Sequence, residues 1–171
     1  MSQDKQIDVF IGMGSNVGDR LNYLQQATEL MSEQEGVELL KASSVYETEP
    51  WGEPDQDEYL NCVLKLQSSL EALELLHQLK SIEKQIGRKE RKKWGPREID
   101  LDILFYGDEI ISTDELTVPQ ENMRVRRFIL VPLVEIAPDL KHPEFAQTMN
   151  DLLAICPDMG RVKLTEHRLN I

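Results

Sequence analysis

The sequence predicts an α+β fold, with helices packed on a mostly antiparallel sheet. Several segments alternate apolar and polar residues, as strands do, and two others repeat apolar residues at helical spacing. Their order along the chain is strand, helix, strand, strand, helix, strand, followed by shorter pieces. This βαββαβ order predicts a ferredoxin-like core with a short C-terminal helical extension.

The composition fits one ordinary domain, and we expect residues 1–171 to form it. Of the 171 residues, 40% are hydrophobic and 29% are charged, and a chain of this length buries roughly 70% of its unfolded surface. No apolar run approaches the ~20 residues of a membrane helix, and the first residues lack the pattern of a signal peptide. Two isolated cysteines, Cys62 and Cys156, suggest neither a disulfide framework nor a zinc site. We therefore expect a cytoplasmic protein with no membrane partner. We also expect it to be a monomer.

The distribution of charge favours a local anion site. A net charge of −12 argues against a general nucleic-acid binder, because the average field repels phosphate. Yet nine of the nineteen basic residues lie in two short windows, six of them in 88–97 and the others at Arg124, Arg126 and Arg127. Such windows are either solvated faces or an anion site, and charge alone leaves both open.

Residues 9–14 are predicted to form a first, largely buried strand. Gly12, Gly14 and Gly18 end this strand and precede a helix, which is the place of a Rossmann phosphate loop. That fingerprint needs its third glycine at position 17, where the chain has Val17. We therefore interpret the glycines as a tight turn.

A helix, a strand and an acidic loop are predicted next. Asp19 is the expected N-cap of a first helix that runs to about Glu33 and is closed by Gly36, and residues 37–46 are predicted to form one strand. Two prolines, a glycine and six acids then predict a loop over residues 47–58. Trp51 on this loop either packs on the body of the protein or covers a flat ligand.

Residues 59–66 alternate again, with apolar side chains on one side and Tyr59 and Asn61 on the other. Ser69 is the expected cap of a second helix, which ends at Gly87. If this strand and the later strand that carries Asp100 share a sheet, their polar faces meet and form the floor of a pocket. The alternative is that these side chains only face solvent.

The most informative stretch is the strand around Asp100 and Asp102. Residues Ile99, Leu101, Ile103 and Phe105 are predicted on one side, and the two aspartates on the other. Two carboxylates at i and i+2 repel each other unless a cation lies between them. The densest positive charge of the chain lies just upstream, so the stretch predicts a site for a polyphosphate complexed with magnesium.

The C-terminal third is predicted to add short elements. Gly107-Asp108 predicts a turn into a short strand, and residues 117–120 are expected to be extended. Residues 126–137 predict a short helix with Pro132 in its first turn. Thr148 to Asp151 forms a capping-box pattern that opens a last short helix.

One long motif resembles a known family. The long motif is Gly87-Arg88 with Trp94-Gly95-Pro96-Arg97-Glu98-Ile99-Asp100-Leu101-Asp102-Ile103. Five shorter matches lie before and after it, and together the six span nearly the whole chain. The shorter matches are Gly14-Ser15-Asn16; Tyr46-Glu47-Thr48-Glu49-Pro50-Trp51-Gly52; Tyr59-Leu60-Asn61; Leu116-Thr117-Val118-Pro119; and Arg126-Arg127-Phe128 with Pro132-Leu133. This pattern resembles the signature of the 6-hydroxymethyl-7,8-dihydropterin pyrophosphokinases of folate synthesis.

The resemblance implies a reaction and a set of residues. ATP would give pyrophosphate to the hydroxymethyl oxygen of the reduced pterin and leave as AMP, with two Mg²⁺ ions held by Asp100 and Asp102. Arg88 and Arg97 would act with these aspartates in catalysis. The resemblance places seven residues at the pterin: Thr48, Pro50, Trp51, Tyr59, Asn61, Trp94 and Phe128. It places nine at ATP: Lys80, Glu83, Arg91, Trp94, Arg97, Ile103, Thr117, Gln120 and Arg126. Lys80 and Gln120 depart from the residues usual in the family, and whether Arg91, Lys92 or Lys93 meets phosphate stays open.

An alternative hypothesis is that the chain is a non-catalytic RNA-binding domain of ferredoxin-like fold. Such domains stack bases on aromatic side chains of the open sheet face. Here that face would carry Asp100 and Asp102, which repel phosphate when no metal is bound.

Overall fold

The computed structural model describes residues 5–50, 55–89 and 95–171. The strands are β1 Ile7–Ser15, β2 Val37–Ala42, β3 Tyr46–Thr48, β4 Tyr59–Ser68, β5 Asp100–Tyr106, β6 Ile111–Ser112, β7 Thr117–Val118 and β8 Val162–Leu164. The helices are α1 Arg20–Ser32, α2 Ala72–Ile86, α3 Arg127–Ile136 and α4 Met149–Ala154, with a 3₁₀ turn at Met123–Val125.

In the part of the chain that the structure describes, the main sheet has six strands, and it confirms the predicted α+β class. One of its interior strands is β1, which pairs with β4 on one side and with β5 on the other. Both β2 and β3 pair with β4, and β8 pairs with β3. All of these pairings are antiparallel. The order β5-β1-β4, with β2 and β3 beyond β4, is that of a βαββαβ ferredoxin-like core. Each helical connection skips one strand: α1 carries the chain from β1 past β4 to β2, and α2 carries it from β4 past β1 to β5.

Helices cover both faces of the sheet. The larger apolar core lies between the sheet and the helices α1 and α2, and includes Leu24, Leu64, Leu79 and Leu101. A second core lies on the other face, where α3 and α4 pack on β1, β4 and β5. Among the residues described, no helix has the length and apolar character needed to cross a membrane.

Several predicted helix ends are confirmed. The Asp19 carboxylate accepts a hydrogen bond from the N–H of Asn22 at 3.2 Å, as an N-cap does. Gly87 ends α2 with a φ of 109°, a left-handed conformation that glycine adopts without steric cost. The capping box of α4 is also present, with Thr148 and Asp151 bonded to each other's backbone.

Two predictions about this half of the chain were wrong. Ser69 does not cap α2, because the helix begins only at Ala72 and Glu71 takes the N-cap position. The Ser69 N–H is bonded to the Gly36 carbonyl in the turn after β4. Residues 37–46 form not one strand but two. The break falls near Ser44, whose N–H is bonded to the Glu135 carboxylate of α3 at 3.0 Å.

Two further corrections concern the later elements. Phe105 packs in the second core and not beside Leu101, because the pairing of β1 with β5 shifts register between Phe10 and Ile11 and leaves Leu104 as an extra residue. Pro132 lies in the interior of α3 and not in its first turn, since the helix already begins at Arg127. The strand β8 was not predicted at all.

Candidate active site

A cavity of about 380 Å³ opens over β1, β4 and β5. Its floor follows from the register of these strands. Gly14 of β1 lies between Asn61 of β4 and Asp100 of β5, and Gly12 lies between Val63 and Asp102. The predicted tight turn was therefore wrong for Gly12 and Gly14, because both lie inside β1. Gly18, with a φ of 70°, does lie in the bend before α1. The sheet brings the amide and the two carboxylates to one face, with only hydrogen atoms between them on β1.

The two carboxylates of β5 line this cavity from neighbouring positions on one face of the strand. Asp100 and Asp102 are both half-buried. Removal from solvent and the nearby Asp100 carboxylate raise the pKa of Asp102 to about 7, against the opposing influence of Lys80 and Arg126. At neutral pH the Asp102 carboxyl is therefore partly protonated, and a bound cation would favour its ionised form.

This donor set fits magnesium. Among the residues described, no group of three or more His, Cys, Asp or Glu side chains forms a metal cage. Magnesium does not need one, because it commonly binds one or two carboxylates and completes its shell with water and substrate phosphate oxygens. Asp100 and Asp102 supply such a pair, beside open cavity volume.

Three arginines bring positive charge to the same cavity. The Nη1 atom of Arg88 lies 2.8 Å from Glu83 Oε1 and 3.4 Å from Asp100 Oδ1. Arg97 donates from Nη1 to the carbonyl oxygens of Gly95 and Pro96, at 3.0 and 2.9 Å. Arg126 is mostly buried; burial lowers the pKa of its guanidinium, whereas Asp102 and Asp100 act to raise that pKa.

The same cavity also carries an amide and aromatic rings. Asn61 donates from Nδ2 to Thr48 Oγ1 at 2.6 Å, which fixes the carboxamide plane. The Tyr59 hydroxyl donates to the Gly95 carbonyl at 3.4 Å. Burial and the Asp100 carboxylate raise the pKa of Tyr59 to about 12, so its hydroxyl keeps its proton at neutral pH. The Phe128 ring completes this wall, with the Arg126 guanidinium 5.9 Å from its centre.

The structure brings together most of the predicted site residues that it describes. The cavity is lined by Thr48, Tyr59, Asn61, Arg88, Arg97, Asp100, Asp102, Thr117, Gln120, Arg126 and Phe128. Pro50 lines a second cavity of about 40 Å³, which Thr48 and Phe128 share. Trp51, Arg91, Lys92, Lys93 and Trp94 lie outside the described residues.

Three residues predicted at ATP lie behind the cavity wall. Glu83 is buried, and its carboxylate accepts from the N–H of Leu101 at 2.8 Å, between the two aspartates. Lys80 lies 3.2 Å from Glu83. The side chain of Ile103 packs in the larger core. Glu83 therefore holds β5 through the Leu101 N–H and holds Arg88 next to that strand.

Asn16 is a buried residue of the site to which sequence reasoning gave no role. Its Nδ2 donates to Gln56 Oε1 at 2.9 Å and to the Asp57 carbonyl at 3.0 Å, and its Oδ1 accepts from the N–H of Arg97 at 2.8 Å. The backbone N–H of Asn16 also donates to the Arg97 carbonyl. One side chain thus joins the segment before β4 to the segment before β5. The only signal in the sequence was the match of Gly14-Ser15-Asn16 to the family motif.

The C-terminal segment also contributes to the site. The Asp158 carboxylate accepts from the N–H of Arg127, the first residue of α3, at 2.9 Å. The Arg127 guanidinium donates to the Gly160 carbonyl at 3.2 Å. These bonds fix the start of α3, which carries Phe128 into the cavity. No local pattern predicted them, because the partners are about thirty residues apart along the chain.

The chain is similar in sequence to proteins of one known family. Residues 10–138 match the family described as 7,8-dihydro-6-hydroxymethylpterin-pyrophosphokinase (HPPK). The chain is 48% identical over 143 residues to a 2-amino-4-hydroxy-6-hydroxymethyldihydropteridine pyrophosphokinase of Aquifex aeolicus, covering 84% of this chain and 88% of the relative. A protein of the same name from Haemophilus influenzae is 39% identical, over 92% of this chain and 98% of the relative.

Solved structures support the fold. A crystal structure of Plasmodium falciparum HPPK-DHPS, wild type with pteroate, superposes with a TM-score of 0.69 at 15% sequence identity. The match covers 90% of this chain and 43% of that chain, so the present chain spans less than half of the solved protein. At such low identity the likeness concerns the fold alone. With the family match and the relatives above, it follows that the chain belongs to the 7,8-dihydro-6-hydroxymethylpterin-pyrophosphokinase family.

Proposed function

We propose that the cavity over β1, β4 and β5 is where this chain performs the reaction of its family. In that reaction ATP transfers pyrophosphate to the hydroxymethyl group of 6-hydroxymethyl-7,8-dihydropterin, and AMP is released. The observation that carries the proposal is the union, in one cavity, of a carboxylate pair, three arginines and an amide beside aromatic rings. The first two suit a metal-bound polyphosphate, and the third suits a flat heterocycle.

At the phosphate end, the protein supplies position and charge. Asp100 and Asp102 would hold magnesium, which when bound neutralises phosphate oxygens and aligns donor with acceptor. The hydroxymethyl oxygen attacks the β-phosphorus, and the bond from that phosphorus to the oxygen of AMP breaks. Arg88 and Arg97 lie where they can stabilise the charge that develops during this transfer. Arg97 needs little reorganisation, because two carbonyl oxygens already orient its guanidinium.

At the pterin end, shape and hydrogen bonding select the ring. Asn61 keeps its Oδ1 acceptor and one Nδ2 hydrogen after it has donated to Thr48, and the amino-oxo edge of a pterin needs both kinds of partner. Tyr59 and Phe128 provide apolar walls for the two faces of the ring. We also propose Trp51, Trp94, Pro50 and Arg91 as substrate contacts, on the family resemblance.

Thr117, Gln120 and Arg126 line the cavity and are proposed contacts of ATP. Lys80, Glu83 and Ile103 were expected at ATP as well, and for them the structure supports a role in holding β5. We expect the chain to act as a monomer in the cytoplasm. Size-exclusion chromatography with light scattering tests the first of these expectations.

Release of AMP is the decisive assay. The purified chain, incubated with Mg²⁺, ATP and 6-hydroxymethyl-7,8-dihydropterin, should form AMP in an amount equal to the pterin consumed. Omission of the pterin should stop AMP release, and EDTA should abolish it. Formation of ADP, or no turnover, would refute the proposal.

The metal role has its own test. We expect Asp100→Ala and Asp102→Ala each to lower turnover by at least roughly a thousandfold, because a carboxylate ligand of the phosphate-aligning cation is lost. The matched control is Asp139→Ala, an exposed aspartate in the turn after α3, which should keep wild-type rates. A double variant of the cavity aspartates that retains a near-normal rate would remove the metal role. Salt-dependent RNA binding in EDTA would instead favour the RNA-binding alternative.

A further inference from the structure

Gly12 and Gly14 occupy unusual places in the fold. Both lie in β1, an interior strand of the sheet, where a glycine costs roughly 0.5–1 kcal/mol relative to alanine. Neither has the positive φ that Gly18, Gly36, Gly87 and Gly107 have. Backbone conformation therefore does not explain them. A remaining physical reason for glycine in an interior strand is that something must approach its backbone closely.

A side chain at Gly14 would collide with the pterin end of the cavity. A Cβ atom there would lie 2.5 Å from Asn61 Oδ1 and 3.3 Å from Tyr59 Cδ1. Real Cβ atoms essentially never approach an oxygen that closely, so Asn61 would have to move. It has little freedom to do so, because it is buried and its Nδ2 is bonded to Thr48 at 2.6 Å.

Gly12 gives a comparison at the same strand face. A Cβ atom there would meet only the side chain of Leu104, at 3.3 Å from the nearer methyl carbon. The end of a leucine side chain can shift by a few tenths of an ångström at small cost. The two glycines lie two residues apart in β1 and line the same cavity. They differ in what an added side chain would displace, which is Asn61 at Gly14 and only the end of Leu104 at Gly12.

We propose that Gly14 is a specificity-determining residue for the pterin, because its missing side chain lets Asn61 hold its carboxamide against the edge of the ring. The inference rests on the proposed function, since it takes the Asn61 end of the cavity as the pterin end. Gly14 acts through Asn61 and is thus a positioning residue.

The test compares Gly14→Ala, Gly12→Ala, Asn61→Ala and Gly14→Ala/Asn61→Ala. Misplacing one oriented hydrogen-bonding group costs about 10- to 100-fold in recognition. We therefore expect Gly14→Ala to raise the KM for the pterin by at least about tenfold, with the KM for ATP within about twofold of wild type. Gly12→Ala should raise the pterin KM by less. In the Asn61→Ala background, Gly14→Ala should add less than about threefold, because the two substitutions remove the same interaction.

The outcomes separate this inference from the proposed function. A wild-type chain that releases no AMP refutes the proposed function, whatever Gly14 does. If the wild-type chain turns over, three results would overturn only the role of Gly14. They are an unchanged pterin KM in Gly14→Ala, a rise in its KM for ATP equal to the rise for the pterin, or full additivity of Gly14→Ala with Asn61→Ala. If Gly14→Ala fails to fold, the double variant carries the test. It should fold and show the pterin KM of Asn61→Ala, and its failure to fold would overturn the inference.

Discussion

Removal of the Glu83 carboxylate should destabilise β5, the strand that carries Asp100 and Asp102. Glu83 lies on α2 and is 2% exposed, and one of its oxygens accepts from the N–H of Leu101 at 2.8 Å. Its other oxygen lies 2.8 Å from Arg88 and 3.2 Å from Lys80. Glu83→Ala deletes all three contacts at once, and Leu101 is the residue between Asp100 and Asp102.

The magnitude follows from what each partner loses. The Leu101 N–H becomes a buried donor without a partner, which costs about 1–3 kcal/mol. The Arg88 side chain is 25% exposed and keeps Asp100 within 3.4 Å, and the Lys80 side chain is 44% exposed. Both of these cations regain water easily, so together they add only about 1 kcal/mol. We therefore expect a loss of about 2–4 kcal/mol in the free energy of unfolding, or roughly 5–15 °C in Tm for a chain of this size.

Thermal denaturation followed by circular dichroism, without substrates, measures this loss, and AMP release measures its effect on the site. Glu83→Gln should lose less than Glu83→Ala, because the amide oxygen can still accept from Leu101. Glu74→Ala is the matched control, since Glu74 is an exposed residue of the same helix. The reasoning is refuted if Glu83→Ala melts within about 1 °C of wild type, or if Glu83→Gln is as unstable as Glu83→Ala.

Three further predictions concern residues away from the carboxylate pair. Asn16→Ala should lower kcat by about 10- to 100-fold in AMP release, because the bond of 2.8 Å to the Arg97 N–H is lost and the guanidinium is misplaced. Glu135→Ala should destabilise the fold by about 1–3 kcal/mol in urea unfolding, since the Ser44 N–H loses its acceptor, while kcat stays within about twofold. Burial lowers the pKa of His142 below 6.5, so the unfolded state takes up a proton more readily than the native state. Stability should therefore be lost as pH falls from about 6.5 towards that lowered pKa. The difference in unfolding free energy between pH 8 and pH 5, measured by urea unfolding, should be smaller for His142→Gln than for wild type.

Each of these has a contradicting result. Wild-type kcat in Asn16→Ala would make the bridge between the two segments irrelevant to turnover. An unchanged urea midpoint in Glu135→Ala would show that water replaces the carboxylate at no cost. An identical loss of stability between pH 8 and pH 5 in wild type and His142→Gln would show that other groups carry the acid sensitivity.

The fold class followed from local patterns, and the structure confirms it. Alternation and helical periodicity depend only on which neighbours in sequence share a face, so they predicted β1, α1, β4, α2 and β5 in order. Errors arose where distant parts of the chain meet. The division of residues 37–46 depends on Glu135 of α3, and the position of Phe105 depends on a register shift against β1. Neither partner is visible from the segment itself.

The amino-acid sequence by itself determined the order of elements, the shared face of Asp100 and Asp102, and the motifs that the family match then supported. Two carboxylates at i and i+2 must point the same way on any strand, whatever packs around it. Only the tertiary structure decided what stands beside them. Strand register places Gly14 between Asn61 and Asp100, and long-range hydrogen bonds place Glu83 and Asn16 beneath and beside the cavity. These relations depend on pairing between segments far apart in the chain, which no local pattern encodes.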